Sequence, residues 1–160
     1  QTIMKESSLK KNDLDAVAVS IGPGSFTGLR IGLGFAKGLA YALSKPVVPV
    51  PTLQVIANDP IVDFDDFIAL LYSHRNIVYF QKFHNKKPES EPAASIFSDI
   101  DLDNNIIQYG CEKLLVSRIF STAKPSAEAV GCLALSNFNN WKIEKPHTLT
   151  SNYISPFEVG

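Results

Sequence analysis

The stretch that decides the fold reads Gly22-Pro23-Gly24-Ser25-Phe26-Thr27-Gly28-Leu29-Arg30-Ile31-Gly32. It follows an apolar segment over residues 13–21 that predicts a buried strand, and it opens a helical pattern that runs from about Ser25 to Leu43. The glycines on both sides of the proline can adopt positive φ, and Ser25 or Thr27 can accept hydrogen bonds from the free amides of the first helical turn. The stretch therefore predicts a strand, a tight turn and a capped helix, which together form one α/β unit.

The turn also has the chemistry of an anion site, because free amides and the helix dipole point outward from the start of the helix. Gly24, Ser25 and Thr27 would make the contacts to such an anion or nucleotide. A phosphate-binding loop requires Lys followed by Ser or Thr after its last glycine, whereas a leucine and an arginine follow here. The sequence therefore favours a capped turn without a ligand, and the anion site stays open as the alternative.

The predicted helix carries an unusual number of small residues. At about 100° per residue its polar side chains fall on one narrow stripe, and the rest of its surface is apolar or small. The small residues form two ridges at a spacing of four, namely Gly28, Gly32, Ala36 and Ala40, and beside them Gly34, Gly38 and Ala42. A glycine inside a helix costs roughly 0.5–1 kcal/mol relative to alanine, so we expect another backbone to approach closely. One face packs on the parent sheet. The other is covered either by another helix of the chain or by another protein, and both alternatives remain open.

The remainder of the chain predicts strands and helices in alternation, with a change of domain near residues 58–66, where the sequence is acidic and contains proline. Aromatic and β-branched runs over 67–72 and 77–80 flank a polar turn and predict a hairpin. The other predicted elements are a strand over 47–50, a short helix over 53–57, a loop over 84–95, a strand over 106–109, a helix over 111–121 and a last helix that begins at 125–126. This order indicates an α/β architecture.

Composition argues against several classes of protein. A formal net charge of −1 without a dense Lys/Arg stripe predicts no direct nucleic-acid binding. The two cysteines, Cys111 and Cys132, suit buried thiols in a reducing compartment better than a disulfide or a zinc site. No apolar run reaches transmembrane length and no signal peptide is visible, so we expect a cytoplasmic protein without membrane contact. The sequence indicates no cofactor.

The glycine stretch and its surroundings resemble the signature of the TsaB (YeaZ) family, a bacterial subunit of the machinery that makes threonylcarbamoyladenosine in tRNA. The resemblance is strong over about 13–52 and includes the strand from Leu14 to Ile21, the glycine loop, the helix and the segment from Pro46 to Leu53. It implies the actin-like, ribonuclease-H-like ATPase fold, an α/β fold of two subdomains. Residues 1–60 would be the remainder of the N-terminal subdomain, without the family's first strands, and 61–160 the C-terminal subdomain.

The same resemblance implies a non-catalytic scaffold that binds and stabilises TsaD, the catalytic subunit, which works with the ATPase TsaE. In this family the glycine-rich helix is the association surface, both for homodimers of the isolated subunit and for docking TsaD. Transferred position by position, the implied partner interface comprises Gly28, Arg30, Ile31, Gly32, Phe35, Ala36, Gly38 and Leu39.

The resemblance also separates this sequence from the catalytic relative. TsaD carries a His-x-x-x-His metal motif after its related helix, and Thr52 and Ile56 occupy the matching positions here. Neither side chain is a competent ligand for a transition metal, so we predict no metal and no catalytic residue. The enzymatic alternatives are a metal-dependent glycoprotease, as the family has often been labelled, and a kinase of the same superfamily. In the family hairpin an Asp usually stands where this chain has Ser73, whereas Arg75 fits the pattern, so the role of that Asp is not assigned to this chain.

Overall fold

The computed structural model describes Met4 and residues 6–154, which form two β-sheets of different size. The smaller sheet consists of two parallel strands, β1 (Val17–Gly22) and β2 (Val47–Pro51). Helix α1 (Phe26–Leu43) connects them, as parallel pairing requires a crossover rather than a tight turn. The predicted unit of strand, turn and helix is therefore confirmed.

The larger sheet is built on an antiparallel hairpin of β3 (Asp66–His74) and β4 (Ile77–His84). Four short strands extend this hairpin on both sides: β5 (Lys87–Pro88), β6 (Ala93–Ile96), β7 (Asn105–Tyr109) and β8 (Ser121–Thr122). The order across the sheet is β5-β4-β3-β7-β8, with β6 also paired to β4, and β7 runs parallel to β3. The aromatic and β-branched runs predict the hairpin correctly, and the pairing extends beyond them.

Other α-helices within the described residues are α2 (Thr52–Ala57), α3 (Ala127–Ser136) and α4 (Phe138–Trp141). Short 3-10 helices lie at Lys11–Asp13, Phe97–Asp99 and Pro146–Thr148. Helix α2 follows β2 without a break, and its buried Leu53 and Ile56 pack in the core of the larger sheet beside Phe67. This short helix therefore joins the two sheets through continuous apolar packing.

Helices cover both faces of the smaller sheet. On one face, α1 packs its buried residues Leu33, Ala36 and Ala40 against Val47. On the other face, α3 and α4 pack against Val48 and its neighbours. The predicted boundary near residue 60 separates the two sheets, although α3 and α4 return to the first one. The division into 1–60 and 61–160 stays a prediction.

Residues 111–121 do not form the predicted helix. They form successive turns, in which the Leu114 amide donates to the Cys111 carbonyl, until β8 begins at Ser121. The side-chain carbonyl of Gln108 accepts the Cys111 amide at 2.7 Å, so the segment is anchored to β7 from its first residue. At its other end the segment is held by the pairing of β8 with β7, and this tertiary contact outweighs helix propensity, which is a weak determinant in a short segment.

Two other predictions need correction. The strand expected over 13–21 begins only at Val17 and is half-buried rather than buried, because β1 pairs with β2 alone within the described residues. The loop expected over 84–95 contains β5 and β6, which are too short for a recognisable alternation of apolar and polar residues. The last helix begins as predicted, with Ser126 as its N-cap, and breaks at Asn137.

Gln108 is the buried polar residue that holds the turn segment in place. Its amide nitrogen donates to a carboxylate oxygen of Glu112 at 3.0 Å and to the hydroxyl of Thr122 at 2.8 Å. The hydrogen bond from Gln108 is the main reason why the pKa of Glu112 lies below its ordinary value. All polar atoms of this fully buried side chain are therefore used in hydrogen bonds to the segment that follows β7.

Replacing Gln108 with leucine should lower the free energy of unfolding by about 1–3 kcal/mol, because the Cys111 amide loses its acceptor in the core. Thr122→Val is the matched control, since it removes one of two acceptors of the Gln108 amide and should cost only about 0.5–1.5 kcal/mol. Urea unfolding followed by circular dichroism measures both values. A Gln108→Leu protein as stable as the wild type would show that this network does not hold the segment.

Candidate functional site

The glycine turn lies between β1 and α1, and its Gly22 is next to Asn152, which follows much later in the sequence. Ser25 is the N-cap of α1, and its Oγ accepts a hydrogen bond from the Gly28 amide at 3.2 Å. Gly22 has a φ of 109°, and a Cβ at this position would lie 2.7 Å from the carbonyl oxygen of Asn152. Gly22 is therefore required by its backbone conformation and by the close approach of the C-terminal segment.

The residues of the predicted anion contact lie around this turn. Ser25 and Thr27 are exposed and Gly24 is half-buried. The Ser25 hydroxyl already serves as the helix cap, which confirms the capped turn. An anion or nucleotide contact at these three residues stays a prediction.

Residues 149–153, called the C-terminal strap below, fasten onto α1 and β1. Leu149 is buried among the sheet-facing residues of α1, and its carbonyl accepts a hydrogen bond from Lys37 Nζ at 2.9 Å. The Asn152 amide donates to the Ile21 carbonyl at 2.8 Å. The strap therefore contacts both elements of the glycine stretch.

Arg30 forms a cluster with two aromatic rings at the first turns of α1. The carbon at the centre of its guanidinium lies 3.9 Å from the centroid of the Phe26 ring, within cation–π range. The ring of Tyr153 lies 5.2 Å from that of Phe26, between centroids. Hydrogen bonds with Ser151 and with Arg30 lower the pKa of the Tyr153 phenol. The strap thus helps to hold the guanidinium in place.

The side of α1 that faces away from the sheet is apolar and exposed. We call it the outer face, and it comprises Ile31, Gly34, Phe35, Gly38, Tyr41 and Ala42. Ile31, Phe35 and Tyr41 are 68%, 72% and 76% exposed. Large apolar side chains grouped in this way on one helix face are typical of interaction surfaces. Neither α1 nor any other described helix is long and apolar enough to cross a membrane.

The structure divides the predicted interface residues into three groups. Five of them are exposed: Gly28, Arg30, Ile31, Phe35 and Gly38. Gly32 and Leu39 are half-buried at the margin. Ala36 is only 3% exposed and belongs to the core of the smaller sheet, so it does not lie on a surface that a partner can reach.

Tyr41, Gly34 and Ala42 complete the outer face but were not among the predicted interface residues. The ridge formed by Gly34, Gly38 and Ala42 was visible in the sequence as small residues at a spacing of four. A Cβ added at Gly34 or Gly38 would have no other atom within 4 Å, apart from its own helix backbone. No contact within the described residues therefore requires these two glycines.

The positions that correspond to metal-binding histidines are occupied by side chains with other roles. The hydroxyls of Thr52 and Ser20 share a hydrogen bond of 2.7 Å. Ile56 is fully buried in the core between the sheets.

The described residues offer neither a reactive buried thiol nor a metal site. Burial raises the pKa of the Cys111 thiol to about 12, which keeps it protonated and unreactive. In Met4 and 6–154, no group of three His, Cys, Asp or Glu side chains is arranged to hold a metal ion.

A cleft of about 540 Å³ separates the glycine turn from the β4–β5 edge of the larger sheet. Its polar lining consists of Gln54, Gln81, Ser90, Asn152 and the two carboxylates Glu89 and Glu91. No Lys, Arg or His belongs to that lining in the described part of the chain. Its electrostatics therefore disfavour the phosphate groups of a nucleotide.

The arrangement of sheets and helices matches solved structures. A crystal structure described as an uncharacterized protein with similarity to peptidase YeaZ, from Pseudomonas aeruginosa, superposes with a TM-score of 0.80 at 21% identity, over 96% of this chain and 80% of that one. YeaZ from Pseudomonas aeruginosa gives a TM-score of 0.77 at 20% identity, over 96% and 79% of the two chains. The protein therefore has the actin-like, ribonuclease-H-like fold of the YeaZ structures.

Sequence comparison identifies the family to which the chain belongs within this fold. The family model described as TsaD, tRNA N6-adenosine threonylcarbamoyltransferase, matches residues 1–97, which is more than half of the chain. The tRNA threonylcarbamoyladenosine biosynthesis protein TsaB of Haemophilus influenzae is 36% identical over 91 residues, 56% of this chain and 39% of the relative. A tRNA N6-adenosine threonylcarbamoyltransferase of Prosthecochloris aestuarii is 51% identical over 78 residues, 44% of this chain and 23% of the relative.

The chain belongs to this family of tRNA threonylcarbamoyladenosine proteins, and within it the chain is TsaB/YeaZ-like. The resemblance first carried by the glycine stretch is thereby confirmed. The matched stretch spans well under half the length of the TsaB and threonylcarbamoyltransferase relatives. An uncharacterized protein of Mycobacterium tuberculosis is 28% identical over 151 residues, which cover 94% of this chain and 69% of that protein.

Replacing Gly34 or Gly38 with alanine should raise the free energy of unfolding by roughly 0.5–1 kcal/mol, because a methyl group has room there and alanine favours the helix. Gly22→Ala is the contrasting variant and should destabilise the protein, since its φ is positive and Asn152 blocks the added methyl. Chemical denaturation of the three variants measures these differences. A loss of stability in both Gly34→Ala and Gly38→Ala would contradict an open outer face.

Proposed function

We propose that the protein is a non-catalytic, TsaB-type subunit that binds and stabilises a TsaD-type catalytic subunit through the outer face of α1. The observation that carries this proposal is the exposed apolar outer face, on which Ile31 and Phe35 project beside two glycines with open space above them. Glycines let a second backbone approach closely, and the projecting side chains supply apolar area for burial. Family membership supports the identity of the partner, because the relatives are named as TsaB and as the threonylcarbamoyltransferase.

The positions matched to the metal motif support a non-catalytic role. Thr52 is engaged with Ser20 and Ile56 lies in the core, so the two positions offer no pair of metal ligands. A metal-dependent glycoprotease would need such ligands, and a kinase would need a cleft suited to phosphate rather than one lined by two carboxylates. The proposal extends to a TsaE-type ATPase as a further component and to a homodimer when the subunit is alone.

The proposal is tested by measuring the affinity of the full-length protein for a TsaD-type subunit by titration calorimetry, with the wild type and Gly38→Leu. The added side chain should overpack the contact, which typically costs about 1–3 kcal/mol, and weaken binding roughly ten- to a hundred-fold. Gly131→Leu on α3 is the matched control, because Gly131 is also an exposed helix glycine with open space around it. It should leave the affinity unchanged.

Thermal melting of both variants separates loss of binding from loss of folding. Leucine favours helix over glycine, so neither variant should melt below the wild type. If Gly38→Leu binds the TsaD-type subunit with unchanged affinity, the outer face is not the docking surface. Stoichiometric zinc or iron retained by the purified protein through dialysis would contradict the non-catalytic role.

A further inference from the structure

The segment that contains α1 is free of carboxylates. From residue 16 to residue 58 the sequence holds no Asp or Glu, and its cations are Arg30, Lys37 and Lys45. Lys37 donates to the Leu149 carbonyl, and so it is occupied in holding the strap. Lys45 lies after the end of α1. Arg30 is therefore the exposed cation at the edge of the outer face.

Arg30 packs on an aromatic ring before any partner arrives. The flat guanidinium lies 3.9 Å from the Phe26 ring centroid, and the Tyr153 ring of the strap packs 5.2 Å from the same ring, between centroids. A guanidinium has five N–H donors, of which a tyrosine hydroxyl can take only a minority. The other donors remain available for a planar acceptor such as a carboxylate. Because the guanidinium already packs on the Phe26 ring, binding an acceptor in this position costs less side-chain entropy than it would for a free arginine.

No internal acceptor of negative charge satisfies this arginine among the described residues. The ion pairs there are His84 with Asp66 and Lys142 with Glu144, and neither involves Arg30. The guanidinium of Arg30 packs on the ring of Phe26, which carries no charge. An arginine covered by a partner without a carboxylate would be desolvated and unpaired, which is costly.

Resting on the proposed function, we infer that the partner surface that covers the outer face carries a carboxylate that binds Arg30, so that the face selects an unlike partner over a second copy of itself. A symmetric dimer through this face would place the same carboxylate-free segment on both sides. Each Arg30 would then meet no carboxylate from that segment. An acidic partner would instead form charge-assisted hydrogen bonds, which are among the strongest that proteins make.

The test compares two association constants of the full-length protein, one for a TsaD-type partner and one for self-association, in wild type, Arg30→Gln and Lys113→Gln. Lys113→Gln removes the same charge from an exposed site in the turn segment after β7. Arg30→Gln should weaken binding of the partner roughly ten- to a hundred-fold and make it less dependent on salt. It should leave self-association unchanged or tighter. Lys113→Gln should change neither constant.

Tyr153→Phe provides a milder variant that keeps the ring and removes the hydroxyl. It should weaken partner binding less than Arg30→Gln does, because the guanidinium and its contact with Phe26 stay in place. Equal effects of Arg30→Gln and Lys113→Gln, or an equal loss of self-association in Arg30→Gln, would overturn the inference. So would Glu158→Gln reproducing the Arg30→Gln result, since the acceptor would then belong to this chain. A wild-type protein that binds no TsaD-type subunit would overturn the proposed function itself, and this inference with it.

Discussion

The contact between α1 and the two-stranded parallel sheet sets the rest of the arrangement. Leu33, Ala36 and Ala40 are buried together with Val47, and this packing fixes the rotation of the helix about its own axis. Once that rotation is fixed, Ile31 and Phe35 must point away from the sheet. The same packing places Arg30 at the edge where the C-terminal strap can reach it. The small inner residues matter here, because alanines let the helix axis approach the sheet closely.

The C-terminal strap adds further contacts at the end of α1 that the helix–sheet packing positions. It closes over the glycine turn, where Gly22 leaves room for the Asn152 carbonyl, and it continues to the aromatic cluster around Arg30. Residues far apart in the sequence thus determine the chemistry of one end of α1. The larger sheet affects this end of α1 less directly. Helix α2, which follows β2, packs in the core of the larger sheet and so connects that sheet to the carboxyl end of β2.

Much of this fold could be predicted from local patterns, because its main signals are local. The Ser25 cap, the helix that follows it and the β3–β4 hairpin each depend on residues close together in sequence. The turns after β7 were missed because their course depends on non-local contacts, namely the pairing of β8 with β7 and the hydrogen bond from Gln108 to Thr122. Ala36 and Gly34 could not be assigned to opposite sides of α1 by pattern alone, since small residues line both sides. The cluster of Arg30 with Tyr153 was equally inaccessible, because no local pattern reports a contact between the two ends of a chain.

If a partner covers the outer face as proposed, the exposed glycines Gly34 and Gly38 link the lifetime of the protein to the supply of that partner. Each of these glycines forgoes stability that alanine would provide, and the apolar side chains beside them stay in water while the subunit is alone. Any molecule that covers the folded form, and not the unfolded chain, shifts the folding equilibrium by mass action. Copies in excess of the partner would then unfold more often and be degraded first. On this proposal, the amounts of the two subunits would be matched through the folding equilibrium and ordinary degradation, without a dedicated regulator.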